Sequence, residues 1–275
     1  MHLHSRAALA ALALLAVGCG HRGAKPVTGP TPVAAGISRG ELESLWTRAK
    51  QEYAHGRWGK AVTLLERVTL EVPVGDSLAV EARFRLAECY YGQKNQLQAA
   101  REFRKVSDDT PDAPLAPEAL LRAGDAYADL WRRPELDPTY GQTAIATYQE
   151  LINRYPDSPA TARGRMRITE LEESFAFKEY KAADYYYKLK AYDSAILYLK
   201  DIAATYPRAT ITPVALLKLV ESYRKVGYAE DLTETCTYIR RYHPTTAGVD
   251  ESCPAPKDSP APAVPPPAVP PPAGS

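Results

Sequence analysis

Few residues in this chain have the type and spacing to do chemistry, and the clearest is Cys19. It follows an apolar run, AALAALALLAV at 7–17, that comes after the lone firm charge of Arg6 and ends in small residues up to Gly18. A thiol in that setting resembles the bacterial lipobox, whose cysteine sulfur is diacylated before the chain is cut in front of it. The run is too short to cross a hydrocarbon core of ~30 Å and has the length of a signal-peptide h-region. One position departs from the lipobox: leucine is usual three before the cysteine, and Ala16 stands there, with Leu15 one further back. A plain secretory signal with an incidental cysteine would satisfy the same small-residue site. Acylation would anchor the chain, since each buried methylene contributes ~0.8 kcal/mol and only a single acyl chain binds reversibly. Gly20, where aspartate commonly retains such a lipoprotein at the inner membrane, favours the outer one.

The remaining chemistry is sparse. GDSL at 75–78 matches the name-giving motif of a serine hydrolase family, but Ser77 follows a helix stop rather than a strand, and no Asp-x-x-His occurs in the chain. Asp76 and Ser77 are better read as caps of the next helix. Of five histidines, only His55 and His243 lie in the folded part, without the cysteine or carboxylate spacing of a metal site. No glycine-rich phosphate loop is present. The pattern is that of a protein without catalytic residues, metal or cofactor, apart from a covalent lipid on Cys19. Cys89 and Cys236 fall at helical core positions and read as small apolar residues; a Cys236–Cys253 bridge in an oxidising compartment stays open, because spacing does not decide connectivity.

Charge excludes another class. The chain has 34 basic and 33 acidic side chains, and removing residues 1–18 takes away Arg6 alone. A neutral surface without a Lys/Arg stripe is not the footprint of a nucleic-acid reader. Residues 19–38 are rich in Gly and Pro and read as a tether, with a span of ~25 Å as a coil. From 248 to 275 the chain reads as a disordered Pro/Ala tail, with ten prolines among the 22 residues after Cys253. That composition favours polyproline II and cannot build a core; it serves as a solvated spacer or touches a partner groove.

Between these ends a register repeats. With Ala61, Ala99, Ala144 and Ala195 aligned, Leu65, Phe103, Tyr148 and Leu199 stand four residues on. Val68, Val106, Leu151 and Ile202 stand seven on, and Pro73, Pro111, Pro156 and Pro207 twelve on. Leu232, Cys236, Ile239 and Pro244 make a weaker fifth copy. A small residue lets two helices approach, the next two positions share its buried stripe, and proline stops the helix. This order resembles the second helix of a tetratricopeptide repeat. The spacing predicts an all-α, right-handed solenoid of five helix pairs over 39–247, with units about 39–73, 77–111, 115–156, 160–207 and 211–244. It places a loop insertion at 132–142 and one long helix over 161–188.

In such arrays the first helix of each pair lines the groove. The corresponding positions are Glu43, Trp46, Lys50 and Tyr53 in unit one and Glu81, Phe84, Glu88 and Tyr91 in unit two. Unit four has Phe177, Tyr180, Asp184 and Tyr187 there. Large aromatics at groove positions either mark an interaction site or pack on neighbouring helices. The reading offered is a pocket formed by Trp46, Tyr53, Phe84 and Tyr91, with Lys50 and Glu88 beside it, for a peptide bearing aromatic side chains. Phe177, Tyr180, Asp184 and Tyr187 are the candidate partner surface.

A lipobox, a short tether and five irregular repeats together resemble the BamD family of β-barrel assembly lipoproteins, over residues 15–245. The most specific stretch runs from Leu136 to Thr210. It carries Asp137-Pro138 ahead of Ala144, the Tyr-Pro-Asp-Ser of 155–158, and the pattern Ala176-x2-Glu179-Tyr180-x2-Ala183-x-Tyr185-Tyr186. The resemblance implies a non-enzymatic scaffold, lipid-anchored at the periplasmic side of the outer membrane. Its C-terminal half would bind BamA's periplasmic domains beside other lipoproteins of the machinery. Its N-terminal repeats would receive the often aromatic-ended C-terminal signals of unfolded outer-membrane precursors. Where partner-contact arginines would be sought near the end of the second helix of unit four, this chain has Ala203 and Ala204. Another tetratricopeptide lipoprotein, for pilus assembly or envelope and division coordination, is the alternative.

Overall fold

The computed structural model describes residues 36–133 and 137–253; Cys19, the leader, the tether up to residue 35 and the Pro-rich stretch from 254 lie outside the described residues. The unit that begins at Ile37 is built of helices, with no strand among the described residues. The first helices of the five pairs are α1 (Arg39–Ala54), α3 (Ser77–Gly92), α5 (Ala116–Leu130), α7 (Pro159–Lys188) and α9 (Thr212–Val226). The second helices are α2 (Trp58–Glu71), α4 (Gln96–Asp109), α6 (Thr139–Arg154), α8 (Tyr192–Thr205) and α10 (Ala229–Tyr242), and a short α11 (Val249–Ser252) follows. Each helix packs mainly on its sequence neighbours, the nearest-neighbour pattern of a solenoid.

The repeated register explains the stack. Ala61, Ala99, Ala144 and Ala195 have no exposed surface, and neither have Leu65, Phe103, Tyr148 and Leu199 four residues on. Val68, Val106, Leu151, Ile202 and Ile239 complete the stripe, none more than 1 % exposed. Each second helix then stops alike. Val72, Thr110, Tyr155, Tyr206 and His243 cap α2, α4, α6, α8 and α10, and each donates its amide N–H to the carbonyl of that seven-on residue. The proline behind each cap has no N–H with which to continue the ladder. The turns between paired helices also recur, with Gly56, Lys94, Lys190 and Gly227 at φ of +68, +64, +60 and +82°. Replacing Ala144 by Trp forces an indole between α5 and α6, and we expect a loss of ~1–3 kcal/mol; a wild-type melting temperature would contradict the register.

Three segments differ from expectation. The insertion drawn at 132–142 ends sooner, because Asp137 Oδ1 accepts the Thr139 N–H at 2.9 Å and its hydroxyl at 2.6 Å, starting α6 at Thr139. The long helix of unit four begins at Pro159, capped by Ser158, and runs 30 residues. Residues 248–253, assigned above to the tail, are folded: Gly248 turns at φ +87°, α11 follows, and Val249 and Cys253 join the core of units four and five. Cys253 is bridged to Cys236 across 17 residues. The bridge left open by spacing is formed, and Cys236 is a disulfide partner rather than an isolated core thiol.

Candidate functional site

Every groove residue sits on a first helix, and what the structure adds is a cation from the next one. In unit one Lys50 Nζ lies 5.2 Å from the Trp46 ring. The Arg85 guanidinium of α3 reaches back over Trp46 at 5.9 Å and Tyr53 at 5.0 Å. Tyr53 donates its hydroxyl to Glu88 at 2.7 Å. Burial, and then the Glu88 carboxylate, push the Tyr53 hydroxyl up to about 12, so it stays a donor throughout the physiological range.

The motif recurs one unit along. Arg122 of α5 covers Tyr91 at 4.7 Å and Phe103 at 5.7 Å, and Tyr91 donates to Asp129 at 2.6 Å. Burial first, and then Asp129, raise the Tyr91 hydroxyl to about 12. Phe84 meets Phe103 edge to face at 5.3 Å. It recurs again between α7 and α9: Lys218 Nζ lies 4.8 Å from the Tyr187 ring and 5.6 Å from that of Tyr180, and donates to Asp184 at 2.6 Å. Asp184 also holds Lys188 at 2.6 Å. Those two hydrogen bonds keep its carboxyl below the usual range. Phe177 is the most open of the groove aromatics, 46 % exposed, with Lys181 Nζ 5.0 Å above it. Each partly desolvated cation–ring contact contributes ~0.5–2 kcal/mol.

The four aromatics read as one pocket therefore do not converge. Trp46 and Tyr53 share Arg85, whereas Phe84 and Tyr91 belong to the next cluster with Phe103 and Arg122. Of the four, Tyr91 alone borders a polar cavity of about 320 Å³ between units three and four, with Arg122, Asp125, Asp129, Arg167 and Glu170 in its lining. Sequence reasoning missed Arg85, Arg122 and Lys218, although a signal exists. Arg85 directly follows the groove aromatic Phe84, and Lys218 follows Leu217, the equivalent residue of unit five.

Elsewhere the expectations for bland residues match the contacts. Asp76 caps α3 by accepting the Leu78 N–H at 2.8 Å. Cys89 has no exposed surface, and burial pushes its thiol up to about 12, far from the low values of reactive cysteines. Among the described residues no group of three or more His, Cys, Asp or Glu is placed to hold a metal, and no helix is long and apolar enough to cross a membrane. The arrangement is one of fixed aromatic faces, cations and carboxylates set side by side along the first helices.

The chain was compared with known proteins. The family model YfiO, described as outer membrane lipoprotein, matches residues 39–237, which takes in α1 to α9 and most of α10. The outer membrane protein assembly factor BamD of Vibrio cholerae is 22 % identical over 201 residues, covering 70 % of this chain and 83 % of the relative. That of Neisseria gonorrhoeae is 26 % identical over 206 residues, covering 70 % and 76 %. The Haemophilus influenzae factor is 23 % identical over 230 residues, covering 80 % and 83 %. The solved tetratricopeptide domain of P58(IPK), 16 % identical and covering 78 % of this chain and 54 % of its own, superposes at a TM-score of only 0.42. The architecture therefore rests on the helix pairs themselves.

Proposed function

This chain belongs to the YfiO family of outer membrane lipoproteins, and from that membership we propose a scaffold that grips two kinds of polypeptide along its first helices. Its role is in outer membrane protein assembly. Units one and two receive the C-terminal segments of unfolded barrel precursors, and unit four, through Phe177, Tyr180, Asp184 and Tyr187, meets the periplasmic domains of BamA. Cys19 carries the lipid that holds the scaffold at the periplasmic face of the outer membrane, beside the other lipoproteins of the machinery. The chain catalyses nothing in this reading: it orients and holds.

The observation that carries the proposal is the ladder on α1, α3, α5, α7 and α9. A precursor ending in an aromatic residue and a carboxylate needs ring faces and cations side by side, and the sets Trp46–Tyr53–Arg85 and Tyr91–Arg122 offer both. Ring faces already bedded against a guanidinium lose little rotamer freedom when a ligand docks, which favours affinity. Trp46→Ala together with Phe84→Ala is expected to weaken binding of an aromatic-ended precursor peptide at least tenfold, with helix content unchanged. Fluorescence titration measures it, and undiminished affinity would put the precursor site elsewhere. A photocrosslinker at position 84 in cells tests the wider reading. Precursors should be captured there; pilus-machinery or cell-wall proteins in their place would overturn it.

A further inference from the structure

Part of the groove face of the last unit, at Leu217 and Arg224, is already covered by the chain itself. Continuing the spacing of unit four places Val214, Leu217, Glu221 and Arg224 of α9 at the groove positions. Gly248 lies against Leu217, the position of an added Cβ being 3.7 Å from Leu217 Cδ1. Arg224 Nη2 donates to the Ser252 carbonyl at 2.5 Å. So α11 sits on the groove face, and Cys253, bridged to Cys236 of α10, is the fixed point from which 22 further residues leave.

Those residues match what lies one unit back. Ten of the 22 are proline and only Lys257 and Asp258 are charged. The pentapeptide AVPPP occurs twice in succession, which makes Pro262-Ala-Val-Pro265 and Pro267-Ala-Val-Pro270. Prolines three apart stand one polyproline II turn apart, ~9.3 Å, on one side of that helix. Tyr180 and Tyr187 are seven apart on α7, ~10.5 Å along its axis. Between them runs the Lys218–Asp184 pair. Tyr192 lies edge-on to Tyr187 at 5.4 Å, while Phe177 and Val214 leave 46 % and 42 % of their surface open beside them. Aromatic side chains spaced by about one polyproline II turn, with open apolar surface beside them, suit that helix, because it is already formed and little entropy is lost.

We propose that the tyrosine stripe of α7, with Lys218 and Val214 of α9, is a polyproline site whose occupant is this chain's own residues 254–275. Reach is ample. Pro262 stands nine residues beyond Cys253, up to ~28 Å of polyproline II. Arg224, where the chain leaves, is a single helical turn from Glu221, or ~5 Å along α9, and the Glu221 carboxylate neighbours Tyr187. The contact does not depend on the assignment of that surface to BamA.

The experiment uses the purified full chain without partners, so its failure and the failure of the BamA assignment are separate. A benzoylphenylalanine at Val269 is irradiated and the crosslinks are mapped by mass spectrometry. Crosslinks within one chain to 177–192 or 214–221 are expected. Their yield should fall at least tenfold when Pro262, Pro265, Pro267 and Pro270 are all changed to Ser, a variant that leaves the helical unit untouched. A yield indifferent to those prolines overturns the proposal, as do crosslinks to other segments or to a second molecule.

Discussion

A single methyl group at Gly124 costs the array about 3 kcal/mol, the upper end of what overpacking a core does. Gly124 lies in the middle of α5, facing Tyr148 of α6. A Cβ there would stand 2.3 Å from one ring carbon of Tyr148 and under 3 Å from two more. The ring cannot step aside. Tyr148 has no exposed surface, its hydroxyl donates to Asp125 at 2.8 Å, and Asp125 in turn pairs with Arg167 of α7 at 3.4 Å. Displacing the ring therefore loosens three helices and leaves a buried hydroxyl without its acceptor, which alone costs ~1–3 kcal/mol. At roughly 2–4 °C per kcal/mol for a chain of this size, Gly124→Ala should melt roughly 6–12 °C lower. Gly59→Ala, on α2 with nothing within 4 Å of the new Cβ, should melt no lower than wild type. Gly124→Ala combined with Tyr148→Leu should cost less than the sum of the two changes, since the smaller side chain vacates the space. A Gly124→Ala protein melting with the wild type would mean that α5 and α6 do not pack as described.

That contact also shows what a sequence tells of such an array and what it withholds. The second helices are legible because their constraint is local: one small residue, two apolar ones and a proline, all within a dozen positions, decide burial and the stop. Ala144, Tyr148, Leu151 and Pro156 can be read without knowing what they touch. Gly124 cannot, since its necessity comes from a ring 24 residues away. The same holds for the groove. Spacing places Trp46, Tyr53, Phe84 and Tyr91 on one face, but which of them share a cation depends on how far α3 and α5 are rotated against their predecessors. That rotation decides which rings Arg85 and Arg122 cover. At the C-terminus, composition misled. Residues 248–253 resemble the proline-rich stretch behind them in having few large apolar side chains, yet two buried groups, Val249 and the Cys253 sulfur, suffice to seat a single turn on α9.

The groove chemistry gives the ladder a second consequence. Because Arg85, Arg122 and Lys218 each come from the helix after the aromatic they cover, every such contact bridges two units. In a solenoid the stability of a unit is its own plus that of its interfaces. The residues proposed to grip a ligand thus also set how firmly successive units are held, and a ligand drawing Arg85 from Tyr53 would loosen the α1–α3 contact while it gains its own.

Breaking the Cys236–Cys253 bridge should release the last unit and leave the rest standing. Closing a loop of 17 residues removes chain entropy from the unfolded state worth ~3 kcal/mol. With both cysteines changed to Ser, that contribution is lost where the structure has least to replace it. Ile239 is the one buried position of α10, and α10 has a full-length helix on one side only, α9. What remains at the end is a set of polar ties: Arg240 Nη2 donates to the Cys253 carbonyl and pairs with Asp250 at 3.3 Å, and Arg224 holds Ser252. Ties of that exposure are worth ~0–1 kcal/mol each, too little to offset the loss. Units in a stack open separately, so the effect is local. Native-state hydrogen exchange is the measurement. Amides of α10 and α11 should lose protection by roughly 100-fold, the size of a ~3 kcal/mol change at 1.4 kcal/mol per tenfold. Those of α3 to α6 should exchange as before. Unchanged protection in α10 would mean that Ile239, Val249 and the arginine ties hold the end without the bridge. A loss spreading to α3 would mean that the units are not independent, and the solenoid reading of the stack would fail with it.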